Sequence, residues 1–139
     1  MKHTFQLLTK NPERIPLDYE FPKNFWIGTT VTCANRWDGD SVQKDWINLE
    51  HIKKVKCGVR FASFEPLLGM LPKEISLDGL DWIIIGKLTG SRKVKLDHRW
   101  VSRISVEAGD LGIPIFLKNN LLKDHPFPRI QQFPGELKD

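Results

Sequence analysis

Apolar positions in this chain follow two periods. Short apolar runs bounded by glycine, proline or polar residues fall at Phe5–Leu8, Phe25–Val31, Val59–Phe64, Trp82–Ile85 and Ile115–Leu117. Runs of that length, rich in aromatic and β-branched residues, predict strands. Between the second and third, Val42, Trp46, Leu49, Ile52 and Val55 recur at helical spacing and predict a helix from about Ser41 to Lys56. Lys53, Lys54 and Lys56 suit its negative pole, and Gly58 is placed to close it. Trp100, Val101, Ile104, Ala108 and Leu111 predict another helix, capped by Asp97 and ended by Gly112. Asn11-Pro12-Glu13 is a helix start that Pro16 and Pro22 keep short. The stretch from Pro66 to Leu80 reads as a loop whose leucines fold back onto the core.

The resulting order is strand, short helix, strand, helix, strand, loop, strand, helix, strand. Such alternation means crossover connections and a mostly parallel sheet, an α/β fold. Two architectures satisfy it: part of a (β/α) barrel, or an open doubly wound sheet. The chain's 139 residues are too few to close an eight-stranded barrel, which takes ~250. One domain is expected over residues 1–120. Residues 121–139, with Pro126, Pro128 and Pro134, read as an irregular tail with one short extended piece. The terminal strands of a partial barrel have edges that the tail or a partner must cover.

The central stretch is Gly58 to Gly69, GVRFASFEPLLG. It carries a buried strand straight into Glu65-Pro66. In a parallel sheet all strand C-termini share one rim, and ligands bind there. That rule gathers Thr9, Lys10, Thr30, Ser63, Lys87 and Asn119 as ligand-binding candidates, and Glu65 and Lys118 as catalytic ones. Alternation puts Phe61, Ser63 and Glu65 on one face. Glu65 then faces either Lys10 or Lys118 across the rim. The competing reading is a structural ion pair that satisfies a carboxylate at a strand end.

Composition narrows the classes. Hydrophobic residues at 40% and charged residues at 27% describe a globular protein, and no apolar run is long enough for a membrane span. With no leader at Met1, cytoplasm is the expected location. The two cysteines, Cys33 and Cys57, form no ligand cluster, so no metal site is expected. The net charge of +4 permits attraction to phosphates, and the basic loop with Arg92, Lys93 and Lys95 is a candidate nucleic-acid contact or simply a solvated loop. GxGxxG, Walker A, HExxH and GxSxG motifs are absent. His51 is expected to be structural, His98 exposed, and Trp26, Trp46, Trp82 and Trp100 core residues. Trp37 beside Arg36 is the one aromatic placed for ligand stacking.

Several segments carry a resemblance. LLTKNPERI, NFWIGTTV, VRFASFEPLLG, LDWIIIG, HRWV and GIPIFLKNNL occur in that order from Leu7 to Leu121. Together they resemble a prokaryotic and phage family of uncharacterised proteins related to radical-SAM enzymes and, distantly, to spore photoproduct lyase. The resemblance implies a partial barrel of radical-SAM type, with an iron–sulfur cluster and S-adenosylmethionine as cofactors. The family's cysteine cluster has no counterpart in this chain, which matches the C-terminal part of the family barrel. The family's Gly-rich acidic turn appears here as Gly86-Lys87-Leu88-Thr89-Gly90, without its acid, while Glu65 and Lys118 match.

Three functions follow as expectations. The first is a radical-SAM-like domain that is catalytically incomplete without an iron–sulfur-binding N-terminal part. The second is a nucleic-acid-binding module. The third is a small-molecule enzyme using Glu65 as acid or base at the rim. Expected partners are a second copy, a missing N-terminal half, or nucleic acid, and not a membrane.

Overall fold

A computed structural model describes residues 3–34, 40–90 and 95–135. Strands β1 (Phe5–Thr9), β2 (Phe25–Thr30), β3 (Val59–Phe64), β4 (Trp82–Ile85) and β5 (Ile115–Leu117) form one sheet in the order β1-β2-β3-β4-β5. All four pairings are parallel. Helices α1 (Asp40–Ile52), α2 (His98–Leu111) and α3 (Asn119–Leu122) connect or follow them, with a 3-10 turn at Pro12–Arg14. This is the expected α/β alternation. Strand order never reverses, so the chain is not doubly wound. The sheet stays open and does not close into a barrel.

The register assigns the two faces. Ile27, Ala62, Phe64, Ile83, Ile85, Ile115 and Leu117 join Leu49 and Ile52 of α1 and Val101, Ile104 and Ala108 of α2 in the main core. Leu67 and Leu71 of the long loop fold into the same core as expected, joined by Ile75 and Leu77, whereas Leu68 and Met70, expected beside them, are only half-buried. The opposite face is aromatic. Val59, Phe61 and Trp82 are buried there, with Trp26, Ile84 and Phe116 packed around them. A Cβ on Gly28 would overlap the Phe61 ring, so the strand glycine marks a close approach.

The two sheet edges differ. The tail covers β5: Leu117 N donates to Ile130 O and Gln132 N to Ile115 O, both at 2.8 Å, and Phe116 bridges Gln131 in antiparallel fashion. No described residue pairs with the outer edge of β1, where Phe5, Leu7 and Leu8 are exposed.

Three local expectations are corrected. The first helix is only the 3-10 turn, and Asn11 makes no side-chain cap; its N–H instead donates to Thr9 Oγ1 at 3.0 Å. Gly58 does not end α1, which stops at Ile52. A Cβ on Gly58 would overlap the Lys23 carbonyl oxygen, so backbone crowding explains the glycine. Trp46, expected in the core, is 48% exposed, and Leu111 is exposed as well. The buried stripe of α1 runs instead through Asp45, Asn48, Leu49 and Ile52. Asp45 accepts the Cys33 N–H at 3.0 Å and Asn48 donates to Lys10 O at 3.4 Å, so both polar groups are satisfied where they are buried. Asp97 and Gly112 cap α2 as predicted: the Asp97 carboxylate accepts the Arg99 N–H, and Gly112 takes a left-handed φ of 70°.

Candidate functional site

The aromatic face is organised as rungs across the strands. Gly28, Phe61 and Trp82 are one rung. Thr30, Ser63, Ile84 and Phe116 are the next towards the strand C-termini. Continuing the alternation by two residues gives Glu65, Gly86 and Lys118. Hydrogen bonds carry the pairing this far: Gly86 N donates to Phe64 O at 3.0 Å and Lys118 N to Ile85 O at 2.9 Å. A cis Glu65–Pro66 bond then leads into the long loop.

On this last rung Lys118 Nζ donates to Glu65 Oε1 at 2.9 Å. The two residues stand on strands that are not neighbours. They meet because Gly86, between them, has no side chain; a Cβ there would overlap Glu65 Oε2. Lys10 does not pair with Glu65. In the strand order β2 lies between β1 and β3, while on the other side of Glu65 the intervening position is the glycine at the end of β4. Glu65 Oε2 is buried and has no hydrogen-bond partner among the described residues. Lys118 is 45% exposed at its side chain and Glu65 28%.

The other candidates divide. Thr30 is half-buried and Ser63 buried, one rung below Glu65 on the same face. Thr9 pairs with Thr29 and so faces the helix side, where its hydroxyl accepts the Asn11 N–H. Lys10 is exposed, and its carbonyl receives the Asn48 amide. Lys87 turns away from Glu65 and pairs with Asp124. Asn119 Oδ1 accepts from Gln131 Nε2 at 2.9 Å. Lys95 is exposed, while Arg92 and Lys93, like Arg36 and Trp37, lie outside the described residues. His51 is structural as expected, its Nε2 lying 3.0 Å from Ile15 O.

Some contributors are not evident from the sequence. Gly86 reads there only as a strand end, and its role as the gap beneath an ion pair needs the register. Asn120 holds the Lys87 backbone at both ends, accepting its N–H at 3.4 Å and donating to its carbonyl at 3.3 Å. Gln131 donates to Leu117 O and to Asn119 Oδ1, both at 2.9 Å, and so brackets Lys118. The polar pair Gln131-Gln132 within an otherwise apolar and proline-rich stretch is the signal that points to it.

An iron–sulfur cluster needs several thiolates gathered at one place. Cys33 follows the C-terminal end of β2 and Cys57 precedes the N-terminal end of β3, so the two sit at opposite ends of a parallel sheet. Burial, then the nearby Asp45 charge, pushes the Cys33 thiol up to about 12, against the opposing pull of Arg103. Burial also raises Cys57. This chain's own donors do not fit such a cluster. Among the described residues there is no group of three or more His, Cys, Asp or Glu side chains placed to hold a metal ion, and no helix is long and apolar enough to cross a membrane.

No curated protein and no solved structure matches this chain. A family model described as "Protein of unknown function (DUF5131)" matches residues 1–123, and the chain belongs to that family.

Proposed function

We propose that the C-terminal rim of the aromatic face binds a small molecule through Lys118 and Glu65, and that this chain alone performs no radical chemistry. The observation that carries the reading is the Glu65–Lys118 pair bridging over Gly86, with one carboxylate oxygen buried and unpartnered among the described residues. An unsatisfied buried acceptor costs about 1–3 kcal/mol, and a ligand donor at this rim would relieve that cost. A half-exposed ammonium beside a carboxylate suits a ligand with a zwitterionic head group: its carboxylate on Lys118, its ammonium on Glu65. Thr30 and Ser63 supply hydroxyls one rung below, beside the apolar side chains of Ile84 and Phe116.

The amino-acid end of S-adenosylmethionine has that head group, and the resemblance to radical-SAM proteins supports choosing it as the probe. The reading treats the chain as the ligand-binding share of a radical-SAM-like partial barrel, and the thiolates of a cluster would come from elsewhere. Calorimetric titration of S-adenosylmethionine into the protein should give one saturable site, abolished by Lys118→Met and by Glu65→Gln. No heat of binding at millimolar ligand, or an isotherm unchanged in Lys118→Met, removes the proposal.

A further inference from the structure

We propose that His98 and His125 form a pH-sensitive clasp that holds the C-terminal tail against the start of α2 and releases it on acidification. His98 Nε2 lies 3.0 Å from His125 Nδ1. The rings meet edge to face at 83°, and Phe127 packs on both, with ring centroids 4.9 Å from His98 and 5.8 Å from His125. At that nitrogen–nitrogen distance one ring donates a hydrogen and the other accepts it. When both imidazoles are protonated, two N–H groups and two positive charges face each other, and the contact cannot persist. The clasp therefore exists only while at least one ring is neutral.

The surrounding charges favour release. From α2, His125 faces His98; from the segment after β4, it faces Lys87. Asp124, beside it in the chain, is already engaged by Lys87. Next to His98, Asp97 and Arg99 are bound to each other at 2.7 Å. Burial, then His98, then Lys87 hold His125 below its ordinary value of 6.5. A histidine depressed in the folded state binds fewer protons than in the released state. Its contribution is whole above the ordinary value and is lost as pH falls below it.

The clasp sits at the root of the segment that seals the sheet. Pro126 and Pro128 stiffen the chain between His125 and the β5 cover at Ile130 to Gln132. Trp82 Nε1 donates to Gln132 O at 2.8 Å, and Phe133 stacks on Trp82 at 5.7 Å. Gln131 brackets Lys118. Release at His125 thus loosens both the β5 edge and the backbone beside Lys118, whatever ligand the rim takes.

Amide hydrogen exchange tests the clasp on the full chain. Between about pH 7.5 and about pH 5.5, the protection factors of Leu117, Gln132 and the Trp82 indole should fall tenfold or more, roughly. Ala62 in the central strand should not change. In His98→Gln and His125→Gln the amide donates and accepts at every pH, so the dependence should disappear. Protection that is flat with pH in the wild type, or a pH dependence that survives in both variants, overturns the clasp.

Discussion

Two ion pairs terminate the same strand. At the N-terminal end of β3, Asp81 Oδ2 accepts from Arg60 N at 2.9 Å and from Arg60 Nε at 3.3 Å, while Asp81 N returns a bond to Arg60 O at 2.7 Å. Arg60 Nη1 spends its remaining reach on Lys53 O at 2.9 Å. At the C-terminal end, Glu65 meets Lys118 through a single oxygen, and its second oxygen has no partner among the described residues. The first pair locks β3 to β4 and to the end of α1. The second reaches across a strand to an ammonium that is half exposed. Parallel sheets divide their labour in this way, with stability at the N-terminal ends and ligand contacts at the C-terminal ends.

A glycine stands at each end, and substituting it should separate the two roles. At Gly58 a Cβ would overlap the Lys23 backbone carbonyl, which cannot move aside. Gly58→Ala should cost about 3 kcal/mol in urea unfolding, the upper range for overpacking. Asp81→Ala comes next. It strands the Arg60 amide and should cost about 2 kcal/mol, with binding of S-adenosylmethionine unchanged. Gly86→Ala should be milder, about 1 kcal/mol, because the obstructed atom is the end of a flexible carboxylate. Yet it forces Glu65 off Lys118 and should abolish S-adenosylmethionine binding. Equal losses of stability at Gly58 and Gly86, with binding intact in both, would erase the contrast.

Most of the fold was legible because apolar periodicity records burial. All five strands and both long helices form where the pattern puts them, although α1 stops at Ile52 rather than near Lys56. The misses came where burial and hydrophobicity part. Asp45 and Asn48 take the core-facing positions of α1 because each finds a hydrogen-bond partner, and Trp46 is left outside. A pattern that counts only apolar residues cannot anticipate that exchange. Glu65 and Lys118 were legible from the strand-end rule, which leaves Lys10 equally eligible. The choice between the two lysines rests on register, since Gly86 opens the β5 side of Glu65 to Lys118. Sequence places Gly86 at a strand end, but only the aligned strands show what its missing side chain permits.

If the rim binds a ligand as proposed, the Glu65–Lys118 pair is kept for binding and contributes little to folding. Equilibrium urea unfolding of the double variant Glu65→Gln, Lys118→Met tests it most directly. Stability should stay within about 1 kcal/mol of wild type, as for a partly exposed pair replaced on both sides. A loss of about 3 kcal/mol or more would make the pair a structural strut and contradict the claim.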